Sequence, residues 1–301
     1  MGGVFVTGGA GFIGSALVRE LLARGERVTV FDDLSVGLLA NVLPQAAFVQ
    51  GNVADAAAVE AAMRGHDRVV HFAARVAIRS SFDFAVEDTQ TNVVGTAAVM
   101  RAAQRCGVSR VVFASSMAVY ADHDGPSPID ESRPTRPISP YGISKLAAEQ
   151  LVLGMGRAAG IGNVVLRFFN TYGPGQALSP YVGAVTIFTH AFASGRAPTV
   201  YGDGQQCRDF VHVDDVVQAV LAALAAPVTG EVFNVGTGVA TTVNRVCALV
   251  REVLHASVQP AHAPAVPGEL RYSIADIGKA RRVLGYAPRQ RLDDALPEVV
   301  H

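Results

Sequence analysis

Val4-Phe5-Val6-Thr7-Gly8-Gly9-Ala10-Gly11-Phe12-Ile13-Gly14 stands near the start of the chain, and its reading decides the fold. The β-branched and aromatic run predicts a buried strand, and the glycines after it predict a tight turn. Phe12, Ile13, Ala16, Leu17 and Leu21 recur at helical spacing up to Gly25, a residue suited to close a helix. Strand, glycine turn and helix in that order form the context of a dinucleotide fingerprint. Gly8 allows the turn, Gly11 lets backbone approach a pyrophosphate, and Gly14 lets the helix pack closely on the strand. The free N–H groups of the helix start would meet the phosphate charge.

A second strand, Arg27 to Phe31, ends in Asp32, 18 residues after Gly14. A carboxylate there is placed for the adenosine ribose hydroxyls. No Arg or Lys occurs from Asp33 to Asn41 to pair with a 2′-phosphate, so NAD is expected rather than NADP. A third strand, Ala47 to Gln50, leads to Asn52 and Val53, which face the adenine in such a fold; an ordinary strand-to-helix turn explains Asn52 equally well. A helix is entered at Asp55. Arg68 to Ala74 reads as a fourth strand, with small residues where backbone passes the cofactor. A helical pattern runs from Phe82 to Cys106, and Arg110 to Ala114 is a fifth strand leading into Ser115 and Ser116. Strands that are β-branched without alternation, separated by helices, predict an α/β protein with a doubly wound parallel sheet covered on both faces.

Composition narrows the partners. With 301 residues, half of them hydrophobic, the chain holds a large core; its net charge of −1 gives no reason to expect nucleic acid or a membrane surface. Three scattered cysteines, Cys106, Cys207 and Cys247, suggest neither a disulfide framework nor a metal site. The first strand begins at once, leaving no room for a signal peptide, and the longest uncharged run, Phe168 to Gly195, is broken by prolines and glycines. A cytoplasmic protein is expected.

The chemistry lies further on. Ser139-Pro140 is a helix start, and Tyr141 and Lys145 follow as i,i+4 neighbours on one face. An ammonium beside a phenol favours the phenolate, and a nicotinamide cation favours it further. Moving a tyrosine from about 10 to about 7 requires roughly 4 kcal/mol. Ser116, 25 residues upstream, stands at the carboxyl edge of the sheet, where ligands of doubly wound folds bind. After a sixth strand, Val164 to Phe169, composition shifts to loops, which places the change to a smaller α/β substrate lobe. The expected division is 1–169 with a return segment at about 206–234 for the dinucleotide domain, and 170–205 with 235–301 for the lobe. The return segment opens with Gln206 to Asp215, which reads as a strand carrying Arg208, either a phosphate clamp or the partner of Asp209 or Asp214. A helix from Val243 to His255, a proline-rich link over 260–267 and a short helix around Lys279 to Leu284 complete the lobe.

Thr7 to Gly14, His71 to Ala74, Asn92 to Thr96, Ser115 to Tyr120, Tyr141 to Lys145, Arg167 to Pro174, Tyr201 to Asp215 and Gly268 to Tyr286 together resemble the extended short-chain dehydrogenase/reductase family, in its NAD-dependent nucleotide-sugar epimerase/dehydratase branch. The resemblance implies Tyr141 as acid/base, Lys145 as its partner and ribose ligand, and Ser116 as hydrogen-bond relay. It implies a cofactor site of Gly8, Gly11, Phe12, Ile13, Gly14, Asp32, Asp33, Asn52, Val53, Phe72, Ala73, Ala74, Asn92, Ala114, Ser115 and Phe168 with Tyr141 and Lys145. For the substrate it implies Ser116, Met117, Asn170 and Arg208 around the sugar diphosphate, Tyr201 near the base, and a homodimer formed by the helices near 82–105 and 141–158.

Relatives that dehydrate place Asp-Glu after the catalytic hydroxyl residue; here Met117 and Ala118 stand there, so a 4-epimerase of a UDP- or dTDP-hexose is expected. The Arg-Pro-Asp-Met run of uronate-handling epimerases is replaced by Ala177-Leu178-Ser179-Pro180, which favours a sugar without a carboxylate. Val266 replaces the usual arginine before Pro-Gly-Glu, with Arg271 as a possible substitute, and Asn52 replaces the usual Asp. The resemblance implies that Ser273 falls where related epimerases gate the sugar's C2 substituent, a small residue leaving room for an N-acetyl group; that Ser273 merely ends a strand accounts for it equally well. Other classes compatible with the fold are a dehydratase, a 4-ketosugar reductase using exchangeable NADPH, against which Asp32 speaks, and a dinucleotide sensor, which typically loses the tyrosine or lysine.

Overall fold

The computed structural model describes residues 2–76, 80–121, 125–178, 182–265 and 270–300. Its centre is a seven-stranded sheet in which every pairing is parallel. The strands are β1 (Gly3–Thr7), β2 (Val28–Asp32), β3 (Ala47–Gln50), β4 (His66–His71), β5 (Arg110–Ser116), β6 (Gly162–Phe168) and an edge strand, Glu231–Val235. From one edge to the other the order is Glu231–Val235, β6, β5, β4, β1, β2, β3. The chain reverses direction across the sheet at β1 and β4, and the crevice outside the carboxyl ends of these two strands is where a ligand sits in this topology.

Alternate residues of each strand face opposite layers, and both layers are apolar. Val4, Val6, Val30, Val70, Val112 and Val164 pack with Leu17, Val18 and Leu21 of helix α1 (Phe12–Ala23) and with Val216 and Val220 of the Val213–Ala225 helix. Phe5, Phe31, Val69, Val111, Phe113 and Val165 face the other way, onto Val59 and Met63 of helix α2 (Ala56–Met63) and onto Val99, Met100 and Val152. A third cluster, including Phe188, Phe192, Val246 and Leu296, lies apart from both.

Several expected elements shift. The region 260–267 carries a strand, Ala261–Ala263, paired with Thr199–Tyr201. Val213 to Asp215 open a helix instead of ending a strand, because His212 caps it and Asp214 and Asp215 sit at its positive end. The helix expected from Phe82 begins at Ala85 and passes through one π-helical turn, Gln90–Val94, before continuing as Gly95–Arg105. A final helix, Leu292–Val300, has a proline inside it and gave no clean sequence pattern. Ala275, Ile277, Ala280 and Tyr286 return from the lobe to pack on the first layer of the main core.

Candidate active site

The glycine turn is built by close contact. Gly8 has φ +69, and a Cβ there would lie 2.7 Å from the Ala73 nitrogen across the crevice. A Cβ on Gly14 would lie 2.1 Å from the Gly8 oxygen, so the first turn of α1 can approach the loop only with glycine. Gly11 is the helix N-cap and brings no side chain to the first-turn N–H groups, leaving them for a ligand. Asp32 is nearly buried at the end of β2, with Oδ2 accepting from the Ala10 N–H at 3.0 Å and Oδ1 from Leu34 at 2.9 Å. Burial pushes its carboxyl up, and the two N–H groups pull against that. Each oxygen keeps a free lone pair for a ribose hydroxyl. This cradle fits a dinucleotide.

Behind it runs a directional chain of hydrogen bonds. Ala73 N–H donates to Thr7 Oγ1 (3.2 Å), which meets His71 Nδ1 at 2.7 Å; His71 Nε2 meets Thr96 Oγ1 at 2.9 Å. Thr96 donates to the Asn92 carbonyl at 2.6 Å, Asn92 Nδ2 to Ser144 Oγ at 2.9 Å, and Ser144 to the Tyr141 carbonyl at 2.8 Å. Since Thr96 spends its proton on Asn92, the ring must donate from Nε2 and accept at Nδ1. With Nε2 donating to Thr96, Nδ1 accepts from the Thr7 hydroxyl in the neutral ring, and burial together with the Lys145 charge pushes His71 down to about 3. The π-helical turn carries Asn92 into this chain, and it also holds the Arg75 backbone through both N and O (2.9 and 3.1 Å). Asn92, expected at the cofactor, is therefore consumed in a scaffold and does not line the cleft.

Ser139 Oγ accepts from the Gly142 N–H at 3.1 Å, and Pro140 follows it, as the helix signal required. A Cβ on Gly142 would lie 2.3 Å from the Ala118 oxygen, so the helix start rests directly on the turn that follows β5. This brings Tyr141 into hydrogen bonding with Ser116, whose Oγ also accepts from Ala118 N–H at 3.2 Å. Tyr141 is buried and, from the protein's own groups, pushed up to about 12, with the Ser116 hydrogen bond opposing and Asp88 assisting. Lys145 is pushed down to about 7 by burial, with Glu149 opposing, and its Nζ lies 4.4 Å from the Phe113 ring centre. Without the nicotinamide cation, desolvation dominates both groups, so the lowering of the phenol expected from Lys145 and the cofactor together falls to the bound state.

These residues share one continuous cleft of about 1420 Å³. That exceeds the roughly 300–1000 Å³ of a site for one small molecule and accommodates two ligands end to end. Every expected cofactor residue except Asn92 lines it, as do Ser116, Met117, Asn170, Tyr201 and Arg208. Asn52 lines it too, while its side chain bonds Asp33 and the Ala54 N–H within the strand-to-helix turn. Asp209 is filled by the Thr237 N–H and hydroxyl and by the Gly238 and Ala275 N–H groups. Asn170 Nδ2 donates to the Asp209 carbonyl at 3.1 Å.

Two expected substrate residues lie elsewhere. Arg271 forms a bidentate pair with Asp203 at 2.8 and 3.0 Å on the surface, and Ser273 is fully buried with its hydroxyl 3.2 Å from the Met117 sulfur. Val266, Pro267, Gly268 and Glu269, and Ser179 with Pro180, lie outside the described residues. Arg75, Tyr120, Gln176 and Phe188 line the cleft and were not anticipated; each stands in a stretch without a spacing pattern of its own.

Residues 4–236 match the model of the NAD-dependent epimerase/dehydratase family. The chain belongs to that family. It is similar to the UDP-glucose 4-epimerase of Thermotoga maritima, solved with UDP-glucose, at 36% identity and a TM-score of 0.96 over 99% of this chain and 97% of that one. The UDP-glucose 4-epimerase of Thermus thermophilus, solved with NAD, superposes with a TM-score of 0.93 at 35% identity, over 99% and 97% of the two chains. A dTDP-glucose 4,6-dehydratase of Streptomyces niveus is also 35% identical over 311 positions, 99% of this chain and 91% of the relative. The Rossmann-type fold is that of these enzymes, and the cofactor is NAD. No helix among the described residues is long and apolar enough to cross a membrane.

Proposed function

We propose that this family member is a 4-epimerase of a UDP- or dTDP-hexose. The observation that carries the reading is the pair Met117-Ala118, set directly after Ser116 at the end of β5 and lining the cleft without a carboxylate. Elimination of water across C5 and C6 needs an acid and a base at that point; inversion at C4 does not. Bound NAD supplies a reversible two-electron acceptor for C4. Tyr141, held by Ser116, takes the 4-hydroxyl proton and returns it, and Lys145 lies behind it for the cofactor ribose. Asn170 and Arg208 hold the diphosphate and Tyr201 the base, so the nucleotide stays fixed while the sugar presents either face. Met117, Ala118 and Phe168 offer the sugar apolar walls that do not grip one orientation.

We take 1–169 with about 206–234 as the NAD domain and 170–205 with 235–301 as the substrate lobe, a division supported by the separate third core cluster. The working unit in this reading is a homodimer through the helices near 82–105 and 141–158. Val86, Val94 and Ile143 stand 79%, 42% and 56% exposed on them, more apolar surface than water favours. Light scattering at micromolar concentration should give the mass of two chains.

The deciding experiment incubates the purified protein with UDP- and dTDP-hexoses and resolves the products by NMR. The expected product is the C4 epimer with no net redox change. A 4-keto-6-deoxy sugar would replace this reading with a dehydratase.

A further inference from the structure

We propose that Glu149 is a positioning residue of this site, whose buried carboxylate fastens the helix of Tyr141 and Lys145 to the ends of β5 and β6 and holds the Lys145 side chain as an ammonium. The proposal rests on the assignment of Tyr141 and Lys145 above. Steps of four residues run from Tyr141 through Lys145 to Glu149, which places them in one row along the Pro140–Ala159 helix. Glu149 is completely buried. Its Oε1 accepts from Ser115 Oγ at 2.5 Å and from Arg167 Nε at 2.9 Å, and its Oε2 from Arg167 Nη2 at 2.7 Å. Ser115 and Arg167 are register partners on β5 and β6, and Ser115 precedes Ser116. A single carboxylate therefore ties the strand end bearing Ser116 to the helix bearing the tyrosine and lysine. The clamp continues outward, with the Arg167 guanidinium 4.7 Å from the Tyr120 ring centre and the Tyr120 hydroxyl donating to Asn234 at 2.6 Å.

A buried ion pair seldom adds stability over an apolar pair of the same shape, and here Arg167 Nη1 is left without a partner. Stability alone is a poor account of it. Charge is a better one. Lys145 faces Tyr141 and Glu149 from its own helix, neutral His71 from β4 and the Phe113 ring from β5; Arg167 of β6 lies beyond Glu149, and Asp88 acts on Tyr141. Against the desolvation that discharges Lys145, the opposing group is Glu149.

The chain has two lysines, Lys145 and Lys279, so lysine labelled with ¹³C at Cε gives two side-chain signals whose titration needs no turnover. In the Glu149→Gln/Arg167→Met protein, which removes both members of the buried ion pair together, the Lys145 midpoint should fall by about one pH unit, about tenfold in the charged fraction. Lys279 should not move, and the alkaline limb of kcat/KM should follow Lys145 downward. A folded double variant with an unmoved Lys145 midpoint overturns the proposal. Should that protein not fold, Arg167→Met alone leaves the Glu149 charge uncompensated, and Lys145 must rise; a fall or no change overturns the proposal equally. If product analysis gives no epimer while Lys145 shifts as stated, the reading of the reaction fails and the role of Glu149 stands.

Discussion

At the glycine-turn end of the cleft the lining is backbone and residues close in sequence: Gly8, Gly11 and Gly14 within one turn, and Asp32 one strand later. At the end proposed for the sugar the lining comes from separate segments, with Ser116 from β5 and Met117 just past it, Asn170 after β6, Tyr201 from the lobe and Arg208 from the return segment. The first end is specified by local geometry and tolerates nothing larger than hydrogen at Gly14. The second is specified by which long-range neighbours stand behind each side chain, and so it can vary among relatives sharing one fold. Epimerases and a dehydratase at 35–36% identity are what such a division produces.

The largest effect should come from Gly14→Ala. The added methyl group would lie 2.1 Å from the Gly8 oxygen, a backbone atom, so the loop and α1 must separate. Overpacking of this kind costs about 1–3 kcal/mol and often more where backbone has to move. Loss of co-purifying NAD with a lowered melting temperature is expected. Retention of full NAD occupancy would show that the cradle is looser than its geometry. Tyr141→Phe should come next. It leaves the cleft and NAD binding intact and lowers kcat by at least about 10²-fold, the worth of a positioned acid/base. Turnover near that of the unaltered protein would remove Tyr141 from the mechanism.

This contrast also explains what the sequence disclosed. The glycine turn, Asp32 and the Ser139-Pro140-Tyr141 helix start are all local, each a backbone requirement or an i,i+4 relation, and they lie where the sequence places them. Asn92 carries a family motif, yet its partners Ser144 and Arg75 are 52 and 17 residues away, and no spacing rule could show that they consume it. Glu149 carries no signal of its own in the sequence, because its partner Arg167 comes from β6, 18 residues on. Arg271 read as a spare phosphate ligand, whereas Asp203 across a surface turn holds it outward. Long-range pairing decided each case.

Arg208 and Arg271 turn that lesson into a paired measurement of smaller size. Arg208 lines the cleft, and Arg208→Leu should weaken UDP binding by roughly 10- to 100-fold, the worth of about 1.5–3 kcal/mol in hydrogen bonds to a charged group. Arg271 lies outside it in an exposed pair, and Arg271→Leu should leave UDP affinity within about twofold. Isothermal titration with UDP measures both. A comparable loss in the two variants would mean that Arg271 leaves Asp203 to reach the phosphates.

The smallest and most selective effect is expected at Ser273. Its hydroxyl lies against the Met117 sulfur at 3.2 Å, and Met117, not Ser273, forms the wall of the cleft. If this position gates the C2 substituent of the sugar, as proposed from the family pattern, it must do so by setting how far Met117 stands into the cavity. Ser273 has no exposed surface, so a tyrosine there has no free volume and would displace Met117 toward the sugar. Ser273→Tyr should then lower kcat/KM for a UDP-N-acetylhexosamine by about tenfold or more while the plain hexose loses only a few-fold, since one pocket contact discriminates by about 1–3 kcal/mol. The complementary change, Met117→Ala, removes the moving part, and in that background Ser273→Tyr should no longer discriminate. Equal losses on both sugars, or discrimination that survives Met117→Ala, would place the gate at another wall of the cleft. Melting temperatures of the variants separate this effect from overpacking, which would lower stability without regard to the sugar offered.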